Sequence, residues 1–271
     1  MAEKIWTPKS KEDLEKLINA NIPLSSIDTS LISDMSELFK DSKRTDFSGI
    51  EGWNTSNVTT MKDMFMNAIH FNSDISAWDT SKVVNMQGMF AGAESFNQPL
   101  NSWDTSSVRD MACMFFGALS FNQPLDKWIT VFVENMGGMF SCAESFNQNI
   151  NDWNVSNVIN MGKYELYYLD KDSGQYRKAY NGKYDGYYLL DNGMGLELGA
   201  NDGGMFSDAK SFNQPLDKWN VSSVVSMWYM FCDAKAFNQN LDSWSVDSLK
   251  CIDYCFEGSA MENNLPKWCK E

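Results

Sequence analysis

Tryptophan recurs in this chain with a fixed step. Trp53, Trp78, Trp103, Trp128 and Trp153 stand 25 residues apart, and Trp219, Trp244 and Trp268 continue the series. Self-similarity at such a period means stacked structural units, and it constrains the fold more than any local propensity does. The step from Trp153 to Trp219 is 66 residues, one period plus 41. Taking out residues 163 to 203 leaves "NVSNVINMGGMFSDAKSFNQPLDKW", which aligns with the rung before it. The chain therefore reads as eight rungs between Asp28 and Trp268, with an insertion over 163–203 inside rung six.

A representative rung is "DTSKVVNMQGMFAGAESFNQPLNSW". Val83, Met86, Met89, Phe90 and Ala93 are spaced as on a helical turn, α or 3₁₀. Asp79, Thr80 and Ser81 precede it and are suited to cap its N–H groups. Phe96, Leu100 and Trp103 then flank Pro99, which reads as a short extended piece with a turn. One such unit cannot bury its own apolar face, whereas a stack of them can. In a stack, like sits on like. Phe71, Phe96, Phe121, Phe146, Phe212 and Phe237 are expected to form one internal ladder, and the asparagine after each of them a second. Asparagine both donates and accepts, so its ladder can satisfy backbone groups at every step. The methionine series from Met61 and the tryptophans read as core. The expected fold class is a repeat solenoid of about eight 25-residue rungs, each a short strand plus a helical or 3₁₀ turn. "SKEDLEKLI", with a capping box from Ser10 to Asp13, reads as a helix in an N-terminal cap over 1–27. "GSAMENNLPKWCKE" reads as a degraded closing rung with a tail at 269–271.

The phrase "VxxMxxMFxxAxxFNQPLxxWDTS" resembles a bacterial surface-protein repeat family, related to BspA-type leucine-rich repeats and abundant in mycoplasma lipoproteins. The resemblance covers residues 28 to 268 apart from the insertion. It implies a right-handed, leucine-rich-repeat-like solenoid with a short parallel strand per rung, and roles in adhesion and protein binding at the cell surface. It brings no catalytic residues with it. The chain departs from the surface members at "MAEKIWTPKSKEDLEKL", which shows no apolar signal core. Read from this chain, the expected location is cytoplasmic; read from the family, it is the cell surface.

Composition narrows the partners. Hydrophobic residues make up 43% and aromatics 14%, enough to build a packed core. The net charge of −14 argues against nucleic acid and anionic membranes, both of which need basic patches. No run of eighteen apolar residues is present to span a membrane. The six cysteines lack a CxxC pair or a histidine at zinc spacing, and read as reduced thiols. His70, the single histidine, falls in a variable column that reads as exposed. Asp110 and Asp253 fall near rung positions where other rungs carry asparagine, and read as solvent-facing tips, not as a paired acid and base. "DKDSG" at Asp170 to Gly174 lacks most of a calcium-loop ligand series and reads as a hairpin turn. The chain is expected to be no enzyme, with no metal and no cofactor.

The insertion is the individual part. It holds Tyr164, Tyr167, Tyr168, Tyr176, Tyr180, Tyr184, Tyr187 and Tyr188, eight of the ten tyrosines. "YELYYL", "YRKAY" and "YDGYYLL", separated by turn signals, read as an antiparallel hairpin or three-strand meander. Tyrosine with Gly, Asn, Ser and Asp is the composition of binding loops. Nearby columns also turn apolar. Rung five has "ITVFV" where others have "DTSKV", placing Phe132 there; rung seven has Trp228 and Tyr229; Phe116 stands in a column that is elsewhere small or polar. These residues, with the eight tyrosines, are the expected binding surface for a protein or peptide partner, and a glycan is a second candidate ligand. The competing expectations are that the insertion's own strands cover the apolar residues, and that the solenoid is structural or adhesive with a passive or grafted insertion.

Overall fold

A computed structural model describes residues 5–162, 166–170, 175–179 and 203–269. The helix α1, Lys11–Asn19, lies at the start of the stack. Ser10 is its N-cap: the side chain accepts from Asp13 N at 3.3 Å, and Glu12 and Asp13 place negative charge in the first turn. Leu14 and Ile18 are buried on one face, and Leu17 packs against the same core. Trp6 pairs in parallel with Ile27, which joins the N-terminal segment to the chain just before rung one.

The rungs form a repeat solenoid. Each contributes one residue to a continuous parallel ladder: Asp34, Thr60, Asn85, Asp110, Asn135, Asn160, Ser226 and Cys251. Around those residues the rung is built from turns, not from the helical turn that the three-residue spacing suggests. Met64 N donates to Met61 O at 3.2 Å and Ala68 N to Phe65 O at 3.0 Å. Asp63 and Asn67, the third residue of each of these turns, have φ of 53° and 55°. A hydrogen bond from i to i+3 with positive φ at the third residue is the signature of a type II turn. The intervening N–H groups point out of the rung. Asp63 N, Phe65 N and Asn67 N donate to Gln87 O, Met89 O and Ala91 O of the next rung at 2.8, 2.9 and 2.7 Å. Backbone donors are thus shared between turn and stack, which is why a helix does not form.

The phenylalanine and asparagine ladders read from the sequence are present, and a further phenylalanine column runs beside them. Phe65, Phe90, Phe115, Phe140, Phe206 and Phe231 stack at 5.5–5.8 Å between ring centroids. Phe71, Phe96, Phe121, Phe146, Phe212 and Phe237 form a second column at 5.5–6.1 Å. Such contacts add about 0.5–1.5 kcal/mol each beyond simple burial. Asn97 N donates to Asn72 Oδ1 at 3.0 Å, and the same bond repeats at Asn122, Asn147, Asn213 and Asn238. Asp79 does not cap a helix; its carboxylate accepts from Ser81 N at 3.0 Å and closes a local turn.

Each tryptophan of the series from Trp53 to Trp268 reaches back one rung through its indole N–H. Trp128 Nε1 donates to Leu100 O at 2.9 Å, and Trp153 Nε1 to Leu125 O at 2.9 Å. Leu100 O also accepts from Trp103 N at 3.1 Å, so losing the indole does not orphan it. Trp128→Phe is therefore expected to cost about 1–2 kcal/mol, from one lost hydrogen bond and a small void. Urea unfolding would show it as a lower midpoint at unchanged slope.

Within the insertion, β1 (Leu166–Asp170) and β2 (Gln175–Ala179) pair antiparallel, from Leu166 opposite Ala179 to Asp170 opposite Gln175. This is the hairpin read across "DKDSG". The expected third strand at "YDGYYLL" lies outside the described residues. Among the described residues no helix is long and apolar enough to cross a membrane.

Candidate partner-binding surface

The insertion leaves rung six at a point the stack seals for itself. Met205 N donates to Met161 O at 2.8 Å, and Phe206 N to Met230 O at 2.8 Å. Rung six is thus closed and in register on both sides of the break. Two glycines make the seam possible. A Cβ on Gly162 would lie 2.6 Å from Trp228 N, and one on Gly204 would lie 2.5 Å from the Met230 Cα. Those contacts are to backbone, which cannot rotate away, so the positions admit no side chain without displacement.

Rung seven therefore packs directly on the seam, and it carries Trp228 and Tyr229 there. Their rings are 5.4 Å apart, and Tyr229 stacks on Tyr254 at 4.9 Å with 21° between planes. Trp228 and Tyr229 are half-buried, whereas Tyr254 is 53% exposed. Tyr229 and Tyr254 both have positive φ, 59° and 58°. The same column holds Gly88 and Gly138 in earlier rungs, at φ 60° and 63°. A bulky aromatic in this region is uncommon and strained. Tyr254 was not among the residues singled out by sequence. Its signal was the period itself, since it stands 25 residues after Tyr229.

The surroundings of the aromatic cluster are acidic. Burial is the first cause that raises the Tyr229 hydroxyl, followed by Tyr254, Cys232, Glu257 and Asp253. Burial also pushes the Cys232 thiol up to about 11, with Asp233, Glu257 and Asp208 adding to it. Burial, then Asp233, raises the Asp208 carboxyl. Lys235 is ion-paired with Asp233, and Lys210 with Glu144 at 2.5 Å.

The other expected site residues lie apart from this cluster. Phe132 is 47% exposed, and its ring lies 5.6 Å from the Arg109 guanidinium, which also meets Glu134 at 3.5 Å. Ile129 beside it is 49% exposed. Phe116 is half-buried three rungs before Trp228, and its carbonyl accepts from Gly92 N at 2.6 Å. Neither Phe132 nor Phe116 is in ring contact with Trp228 or Tyr229. Tyr167 and Tyr168 belong to β1 and Tyr176 to β2, with Leu169 opposite Tyr176. Tyr164, Tyr180, Tyr184, Tyr187 and Tyr188 lie outside the described residues.

A shallow pocket of about 250 Å³ lies between rungs five and six, lined by Asn151, Asp152, Trp153, Asn154, Val155, Lys218 and Asn220. Its one lysine, Lys218, is paired with Asp152 at 2.7 Å. Among the described residues no three His, Cys, Asp or Glu side chains converge as a metal-ligand set. All six cysteines are free thiols, and burial drives Cys255 well above the usual thiol range, so that it stays protonated near neutral pH. His70 is exposed.

Comparison with known families decides the chain's relationship. A family described as "Mycoplasma protein of unknown function, DUF285" matches residues 10–109, 77–170 and 200–269. The chain belongs to this family. The three matches run from α1 to the last tryptophan, and only the middle of the insertion, 171–199, falls outside them. Each match spans several rungs, and most of the insertion stands apart from them. Neither curated proteins nor solved structures gave a match.

Proposed function

We propose that this protein is a non-enzymatic recognition module for a protein or peptide partner. The solenoid acts as a rigid scaffold, and the binding surface combines the Tyr-rich insertion with the aromatic residues at its root. The carrying observation is the Trp228–Tyr229–Tyr254 cluster. Three large aromatic rings stand together beside the seam from which the insertion leaves, two of them held at a costly backbone conformation. Aromatic residues in such a setting supply most of the energy of a typical interface. On this reading the stack is a right-handed, leucine-rich-repeat-like solenoid of the BspA kind, used in adhesion.

A second reading is favoured by the Met205–Met161 bond, which closes rung six without help from the insertion. In that reading the insertion is passive and the solenoid alone is structural or adhesive. Joining Gly162 to Gly204 separates the two. The excised protein is expected to fold with a melting temperature close to the parent's. Panned against a displayed random-peptide library, the parent is expected to enrich a peptide family that the excised protein no longer retains. Equal enrichment by both proteins would support the passive-insertion reading.

A further inference from the structure

We propose that the Trp228–Tyr229–Tyr254 face takes a cationic side chain, a lysine or arginine of a basic peptide segment, packed against the exposed Tyr254 ring and met by the surrounding carboxylates. This rests on the recognition reading above and names the chemistry of the partner.

The rings give the first half of the inference. Tyr229 and Tyr254 are stacked 4.9 Å apart, with Trp228 5.4 Å from Tyr229, and Tyr254 is 53% exposed. The faces of such rings carry negative potential and attract cations. The carboxylates give the second half. Glu257 and Asp253 act on the Tyr229 hydroxyl, and Asp233 and Asp208 act on Cys232 close by. The nearby lysines are engaged elsewhere: Lys235 pairs with Asp233 and Lys210 with Glu144, which leaves Asp253 and Glu257 as the carboxylates open to a partner. Among the described residues no cation forms an ion pair with Asp253 or Glu257, and both are exposed.

Charge complementarity selects the occupant. An apolar partner would cover the rings and strip water from Asp253 and Glu257 without replacing it, which is costly. A phosphate-bearing or acidic partner would be repelled. A guanidinium or ammonium satisfies rings and carboxylates together, and its aliphatic stem covers the apolar ring surface. Arginine also brings a planar fork suited to carboxylates.

Calorimetric titration of the full-length protein with the blocked peptide Gly-Lys-Gly-Arg-Gly-Lys-Gly tests this, beside a control peptide in which norleucine replaces each basic residue. The basic peptide is expected to bind and to weaken with added salt, and the norleucine peptide to bind far less. Tyr254→Ala, which leaves net charge unchanged, is expected to weaken binding about five- to thirtyfold. Asp253→Asn with Glu257→Gln is expected to weaken it further and flatten the salt dependence. Basic-peptide binding that Tyr254→Ala leaves unchanged would overturn the proposal, as general attraction to an acidic protein. Norleucine-peptide binding equal to the basic peptide's, and lost in Tyr254→Ala, would overturn the cationic partner yet leave peptide recognition standing. Salt-insensitive binding of a neutral oligosaccharide, lost in Tyr254→Ala, would overturn it in favour of a glycan. Absence of binding by the basic peptide would overturn it too, while recognition through the insertion is judged separately by the excision experiment.

Discussion

Phe140→Ala is expected to lower stability by about 3–5 kcal/mol, the range for removing a fully buried phenylalanine from a packed core. The ring is inaccessible to solvent and touches aromatic neighbours on every side. It stacks on Phe115 and Phe206 in the rungs before and after, at 5.6 and 5.8 Å, and on Phe146 in its own rung at 3.9 Å. Trp153 lies tilted against it at 6.2 Å. In a stack where each rung meets only its neighbours, stability is a sum of rung and interface terms. A void in rung five therefore weakens two interfaces at once. Calorimetry of the variant is expected to show a broadened or split transition, as the rungs on either side unfold apart. Phe256→Ala near the C-terminal end is the control. Phe256 meets Phe231 at 5.6 Å and Trp268 at 6.1 Å, and among the described residues no later phenylalanine stacks on it. It is expected to lose less and to leave a single transition. Equal losses with one sharp transition in both variants would show that the stack unfolds as a whole.

Asp63→Asn is expected to stabilise the protein above pH 6 and to have little effect near pH 4. Asp63 is fully buried, and neither carboxylate oxygen has a hydrogen-bond partner. The side chain occupies space left by Gly88 in the next rung, where a Cβ would come within 2.0 Å of Oδ1. Burial raises its carboxyl from 3.8 to about 6, against the smaller opposing pull of Lys62 and Lys40. A raised folded-state value means that the folded protein holds the proton more tightly than the unfolded chain. Its contribution is fully favourable below 3.8 and is lost as pH rises through about 6. The interval corresponds to about 3 kcal/mol, and an amide that is itself imperfectly paired recovers about 2–3 kcal/mol of it. Asparagine also tolerates the positive φ at this position. Urea unfolding of parent and variant from pH 4 to pH 8 reads the difference directly. A difference independent of pH would remove the buried carboxylate as its source.

The period made the solenoid legible, because Phe96, Asn97 and Trp103 each repeat at a fixed offset and stacking follows from repetition alone. The local structure was less legible. Met86, Met89 and Phe90 have spacing that a helix and a succession of i→i+3 turns share. The difference lies in φ at the third residue of each turn, and residues such as Gly88, Gly92, Gly117, Gly138 and Asn67 advertise it. Cys113 and Tyr229 adopt the same conformation without any such signature, held there by hydrogen bonds to the neighbouring rung. The candidate site was legible in part for a related reason. Trp228 and Tyr229 stood out as aromatic replacements in polar columns. Tyr254 did not, because its rung looked like a degraded cap. Phe132 and Phe116 were grouped with them by apolar character, although offset within the rung, not apolarity, decides which face a residue occupies. Asp63 looked like any surface Lys-Asp pair, and only the glycine one rung later shows that its carboxylate is enclosed.

The seal between Met161 and Met205 makes rung six a docking port for chain segments. Its two ends are already held at hydrogen-bonding distance by the stack, so whatever lies between them need not hold the rung together. The entropic penalty of a longer loop grows only with the logarithm of its length, about 0.6 kcal/mol for each doubling. Segments of very different size and sequence can then be exchanged at this point while the scaffold stays the same. Variation in the inserted segment is thereby uncoupled from variation in what keeps the protein folded.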